Sequence, residues 1–438
     1  MNLAHGVGGA QDLPIPASFA ALGAGVALAV SFAVLAVAWR QPRFSGATHG
    51  VPLSQGVTGI LHSRVTLTAL RAAGMTMFAY VIWIAVWGPD LATNPIFGII
   101  YVLLWVGLVP ASLILGPIWR TMNPARTVHD AIARVAGPSI REGVFRLPDW
   151  VGYWPASVGL FTFVWMELVY ESGTYLAPVR LWMAVYFVVV VLGSLLWGER
   201  WISRADPLEA YSTLVSHLSP VGRNSDGRLV LQNPMDHLDG FTPSPSRLVL
   251  ISVLLGSTAY DSFSRSLNWL AFVDWVGIDS SLLGTLTLFG FCSFVAVTFA
   301  AAAMLSELPD KTKRVALPGL YVHSVIPIVV GYVIAHYISL LLEYGQQVVI
   351  QLSDPMVNGA NIFGTAELQV NYFLSNNPSV LAMLKVLAVV TGHIAGAIAA
   401  HDRATKLLPA HHRVAGQLAM MVVMVIYTTG GLFLLFSG

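Results

Sequence analysis

Charge is what this sequence has least of. Only 10% of its 438 residues are Asp, Glu, Lys or Arg, while 56% are hydrophobic; a soluble globular chain carries about 25% charged residues. That scarcity excludes a water-soluble enzyme, and the mean hydropathy of +0.70 agrees. Neither sign is in excess, since 23 Lys and Arg stand against 22 Asp and Glu. No large basic surface for nucleic acid can be built from that balance. Cysteine occurs once, as Cys292 in an apolar run, which rules out an intrachain disulfide, a Cys-ligated zinc site and an iron–sulfur cluster. No HExxH, Walker loop, GxSxG elbow or dinucleotide fingerprint is present, so ATP-driven and nicotinamide mechanisms find no support. Lys and Arg are also missing from residues 1–16. A cleavable signal peptide needs a basic n-region, so the first apolar stretch is expected to stay as a membrane helix.

What the chain does have is long apolar stretches. They lie near 17–39, 66–87, 95–118, 150–171, 179–197, 247–272, 281–305, 315–344, 379–401 and 414–436. Each runs to about 19–30 residues, enough to span a hydrocarbon core of roughly 30 Å. Trp87, Trp150, Trp197 and Tyr344 stand near their ends, where interfacial aromatics belong. The pattern predicts an all-α bundle of about ten transmembrane helices, a single membrane domain over residues 1–438. About 20 of the 23 basic residues fall in alternate connections, among them Arg40, Arg126, Arg204, Lys311 and Arg413. The positive-inside rule assigns those connections to the cytoplasm, leaving both termini outside. The expected setting is the cytoplasmic (inner) membrane, with a charged cytoplasmic loop over 198–246 and one long outer loop over 345–378. The expected partners are the lipid bilayer and a small apolar molecule or ion.

Ionisable residues at membrane depth cost kcal/mol unless paired or hydrated, so they mark function. On the sixth stretch Ser257, Asp261, Ser264 and Arg265 share one helical stripe, with Asp261 and Arg265 at the i,i+4 spacing of an ion pair. The eighth carries Tyr332, His336, Ser339, Glu343 and Gln346 at steps of four and three, a polar face that must turn from lipid. Glu167 and Lys385 come to the outer half of the membrane from two further helices, with His393 deeper on the second. Together these predict an outward-opening polar site.

Two chemistries fit such a set. Imidazole and carboxylate suit zinc, copper or another borderline divalent ion, with His336, Asp261 and Glu343 as ligands of a metal whose bound water is a hydrolytic nucleophile. Arg265 and Lys385 would then stabilise developing negative charge, while Glu167, Ser257, Ser264, Tyr332 and His393 would line the substrate. Alternatively the same acids and histidines carry protons or ions in an alternating-access cycle. A third reading makes the chain a membrane subunit whose buried polar groups only organise packing. A haem is the weakest option: His323 and His336, 13 residues apart, point to nearly opposite faces, leaving His323 with His393 as the single possible pair.

At the amino terminus His5-Gly6, followed by Asp12-Leu13-Pro14-Ile15-Pro16 and by Ser31-Phe32 within the first helix, resembles the opening of bacterial polytopic membrane proteins named fenitrothion hydrolase. The resemblance implies hydrolysis of an organophosphate triester at the membrane and supplies no catalytic residue. It gives the leading expectation, a membrane-embedded hydrolase of an apolar ester, with a proton- or metal-ion-coupled transporter as its alternative. The arm before the first helix is either a solvated segment or a flap that lends His5 to a metal.

Overall fold

The computed structural model describes residues 16–46, 50–61, 63–224, 227–306, 313–409 and 415–436. His5, Asp12, Lys311 and Arg413 lie outside the described residues. The chain is 76% helical with almost no strand, which makes it all-α. The main helices are α1 (Ala17–Ala38), α2 (Arg64–Trp87), the bent α3 (Pro95–Leu104 with Leu108–Leu115), α4 (Trp154–Leu168) and α5 (Leu176–Trp197). They continue as α6 (Pro207–Ser216), α7 (Pro245–Ser264), α8 (Ser280–Met304), α9 (Arg314–Gln351), α10 (Pro378–Leu407) and α11 (Leu418–Phe436). The apolar composition drives these helices, and local chemistry sets their ends. Ser63 caps α2 by accepting from the Thr66 amide at 3.0 Å, and Asp279 caps α8 by accepting from Leu282 at 2.8 Å. Gly198, at φ +67°, ends α5 in a conformation that a Cβ would strain.

Among the described residues seven helices are long and apolar enough to cross a membrane, or eight if the bent α3 counts as one span. The expected count of ten stretches further than this, for a physical reason in each remaining case. Helix α4 has 15 residues, too few for a full crossing at 1.5 Å each. The expected helix 247–272 breaks instead: α7 stops at Ser264, Arg265 is its C-cap, and Ser266 caps a separate helix, Leu267–Val276. The 20 residues of α7 are also diluted by Ser246, Ser252, Ser257, Thr258, Asp261 and Ser262, all buried.

The chain forms two compact units. One gathers α1, α7, α8, α10, α11 and α9 up to Leu342; the other gathers α2 to α6, the end of α9 from Glu343, and the loop after it. In the first unit small residues bring backbones together, as in lipid, where no hydrophobic force joins helices. A Cβ on Gly331 of α9 would meet the Ala388 carbonyl of α10 at 2.5 Å, and one on Gly392 would meet the Pro327 carbonyl at 2.5 Å. A Cβ on Gly256 of α7 would lie 2.6 Å from Cys292 Cα of α8.

In the second unit the region 198–246 is more than a surface loop. It supplies the buried helix α6 and two strands of a small antiparallel sheet of order β1-β3-β2: β1 (Val51–Pro52), β2 (Val221–Arg223) and β3 (Leu229–Leu231). Val51 pairs with Leu231, and Gly222 with Val230. The expected loop 345–378 opens with the last turns of α9 (Gly345–Gln351).

Candidate functional site

In the first unit, α7 and α9 bring the predicted Asp261 and His336 together. Asp261 is 1% exposed, and both of its oxygens are engaged. Oδ1 accepts from Arg265 Nε at 2.9 Å and lies 2.9 Å from Nη2. Oδ2 accepts from the Tyr337 hydroxyl at 2.8 Å and meets His336 Nε2 at 2.8 Å. The other ring nitrogen of His336, Nδ1, lies 3.1 Å from Ser262 Oγ, which stands 3.2 Å from the Tyr332 hydroxyl. Tyr332 in turn donates to the Gly431 carbonyl at 3.3 Å. Facing a carboxylate, Nε2 carries its hydrogen and donates to Asp261 Oδ2. The result is a continuous relay from the half-exposed Arg265 to the buried Tyr332.

The remaining predicted residues behave differently. Ser257 and Ser264 satisfy carbonyls of their own helix, at Leu254 (3.2 Å) and Asp261 (3.1 Å), so they serve the backbone and not the relay. His393 gives Nδ1 to the Val389 carbonyl at 2.8 Å and leaves Nε2 buried without a hydrogen bond. Lys385 is fully buried in α10. Glu343 sits in a π-helical turn, Leu340–Tyr344, and belongs with Glu167 to the other unit, where Glu167 lies close to Tyr101. Ser262 and Tyr337 were not expected from the sequence. Each is one residue, or 100° of helix, beside an expected one.

The metal expectation is tested by the donor set. Both nitrogens of His336 are committed, and the Arg265 guanidinium already neutralises Asp261. Among the described residues no three of His, Cys, Asp or Glu group to hold an ion. His336 and Asp261 are thus engaged with protein partners, and Glu343 belongs to the other unit. His323 is hydrogen-bonded to the backbone at Leu320 and Ala399, and a Cβ on Gly396 would lie 2.6 Å from the Ser324 carbonyl.

The second unit contains a polar cluster that sequence reasoning passed over. Asn123 caps the helix Pro124–Ala136 through Oδ1, accepting from Ala125 at 2.9 Å, and its Nδ2 donates to Asp206 Oδ2 at 2.7 Å and Glu209 Oε2 at 3.1 Å. Asp206 caps α6 in turn, accepting from Leu208 and Glu209 amides at 2.9 and 3.0 Å. Arg126 grips Glu209 with two bonds of 2.6 Å, the bidentate geometry that makes such pairs strong. The Tyr186 hydroxyl donates to Asp206 Oδ2 at 2.9 Å. Burial, followed by the Glu209 charge, pushes Asp206 up to about 6. For Arg126 burial alone would lower the pKa, but its bond to Glu209 and the charges of Glu209, Glu199 and Asp206 together raise it. The signal was legible as Asn123-Pro124 and Asp206-Pro207-Leu208-Glu209: a capping residue, proline at the first helical position and, in the second, an acid at the third.

No protein-family model matches this chain, and no curated protein or solved structure matches it.

Proposed function

We propose that the protein is a proton-coupled membrane carrier of a small molecule or ion, with Asp261 and His336 as its protonation site. The observation that carries this reading is the buried Asp261 carboxylate shared by Arg265, His336 and Tyr337 and continued through Ser262 to Tyr332. An acid at that depth is expensive, and a charge that is paired, relayed and adjacent to a helix break has a use for its cost. With Asp261 ionised, the pair with Arg265 ties the end of α7 to its own preceding turn. A proton on Asp261 removes the attraction and frees Arg265 at the break before Leu267–Val276. Proton uptake thereby becomes movement of a helix end. The reading places the chain in a membrane, supported by the seven or eight helices long and apolar enough to cross one; the cytoplasmic membrane and the assignment of the basic connections to its inner face belong to the same proposal.

A second reading rests on one specific geometry. Ser262 Oγ, His336 and Asp261 stand in the order nucleophile, base and orienting carboxylate, at 3.1 and 2.8 Å. That is the arrangement by which an imidazole activates a hydroxyl toward an ester, and it agrees with the organophosphate hydrolysis implied by the amino-terminal resemblance.

Ser262 separates the two. Purified protein in liposomes with an entrapped pH-sensitive dye should pass protons under an imposed potential, lose the flux with Asp261→Asn or His336→Phe, and keep most of it with Ser262→Ala. In detergent, diethyl p-nitrophenyl phosphate and p-nitrophenyl butyrate should stay intact. Hydrolysis that vanishes with Ser262→Ala, without proton flux, would replace the carrier by the hydrolase. Absence of both activities in well-folded protein would leave a packing role for the relay.

A further inference from the structure

The second unit encloses a cavity of about 290 Å³ among α2, α3, α5 and the short helix Ile118–Met122. No charged side chain lines it. Its walls carry Phe78, Phe163, Phe187 and Trp182, with Met77 and Met183 between them. The rings are already ordered against each other: Phe78 stacks on Phe187 at 4.6 Å, and Trp182 on Tyr186 at 5.2 Å and 8°. The polar atoms its lining residues carry are few: the Tyr186 hydroxyl donates to Asp206, Trp182 Nε1 donates to Thr162 Oγ1, and Trp119 Nε1 is buried. Asp206 itself is not among the lining residues.

One wall has an unusual backbone. Ile99, Ile100, Leu103 and Leu104 all face the cavity, and all belong to the π-helical turn Ile99–Leu104. Trp105 N bonds the Ile100 carbonyl at 3.1 Å and Gly107 N bonds Val102 at 2.8 Å, in the wide i→i−5 pattern. The span then bends by 42°. A π turn forfeits regular helix bonding and recurs at functional sites; here it widens the helix just where the void lies.

We propose that this cavity is a binding site for a neutral molecule of one or two aromatic rings, held by stacking and methionine contacts. Charge-free walls exclude ions. Flat rings on facing sides favour a flat guest over a saturated chain. An apolar cavity of about 150 Å³ holds benzene, so this one has room for two rings. Ala73, exposed at the cavity rim, gives such a guest a way in from the bilayer. This site is independent of the Asp261 relay and stands or falls without it.

The test uses benzophenone, itself neutral and two-ringed, as a photolabel on the full-length purified protein in detergent and in phosphatidylcholine nanodiscs. Labelling should concentrate on Met77, Met122 and Met183, about tenfold above the lipid-facing Met383, equivalent to about 1.4 kcal/mol of preference. Excess naphthalene should remove it, and Leu103→Trp, which fills the space, should abolish it. Should that variant fail to fold, the naphthalene competition still decides. Labels spread evenly over exposed methionines, or cavity labelling indifferent to naphthalene, would overturn the proposal. Labelling present in detergent and lost in nanodiscs would also overturn it, by showing a lipid acyl chain as the occupant.

Discussion

Replacing Asp261 by alanine should loosen the first unit by an amount that the geometry lets one work out. The change strips an acceptor from three donors. His336 and Tyr337 are buried at 3% and 1% exposure and have no water to turn to; an unmade bond of this kind costs about 1–3 kcal/mol, so the two together cost roughly 2–6. Arg265 has 35% of its side chain exposed and recovers hydration, so its share is small. Asp261→Asn, which keeps the volume and one oxygen, should cost about half as much. Replacing Asp261 and Arg265 together by leucine should recover only part of the loss, since His336 and Tyr337 still lack their acceptor. Cys292 supplies the assay. It is the sole cysteine, buried, with its sulfur 4.0 Å from the Val253 carbonyl of α7, so a thiol-reactive dye reaches it only when α7 and α8 part. A loss of about 3 kcal/mol in that opening raises the labelling rate on the order of a hundredfold. A rate for Asp261→Ala within twofold of the parent would refute the reasoning, because the relay would then not be holding α7 in place.

Three further outcomes follow from other parts of the molecule. In a Cys292→Ser background, cysteine at Asn358 should react with an impermeant thiol reagent from outside intact cells and cysteine at Asn224 should not; labelling of Asn224 would reverse the orientation. Asp206, raised to about 6 from 3.8, holds its proton more tightly folded than unfolded, so its contribution to stability is full below about pH 4 and is lost as pH rises through 6, by at most roughly 3 kcal/mol. Thermal melts at pH 5 and 7 should show this difference shrinking in Asp206→Asn, and an unchanged difference would assign it elsewhere. Gly331→Ala pushes a methyl into the Ala388 carbonyl at 2.5 Å and should lower stability by about 2–3 kcal/mol, whereas Gly290→Ala, with open space at its Cβ, should leave the melt unmoved.

The long apolar runs announced helices because a 20-residue run without charge has no other stable fold in lipid. Every expected stretch coincides with helix over most of its length. Breaks were harder to read, because hydropathy averages over the position where Arg265 and Ser266 divide 247–272, and over the π turn of α3. The Asp261–Arg265–His336 group was legible from helical spacing, since few other arrangements shelter those charges. Ser262 was not, because a single helical wheel assigns it a neighbouring face. Tyr332 and His336 of α9 meet Ser262 as well as Asp261, which only the packing of two helices reveals. Asn123 and Asp206 escaped for the opposite reason: polar residues in a connection read as solvated until a helix such as α6 folds back over them.

The contact of α9 with α10 carries a mechanical consequence. Where Gly331 and Gly392 let the Ala388 and Pro327 carbonyls lie against the facing backbone, no side chain stands between the helices to roll past its neighbour. The pair behaves as a welded plank that turns as one piece or not at all. His336 rides on that plank, while Asp261 and Ser262 ride on α7, whose last turn ends in a break only three residues beyond Asp261. Any opening of the relay is therefore a displacement of α7 against a fixed α9–α10 wall. Stiffening that one helix end would hold the Asp261–His336 contact closed without touching either residue.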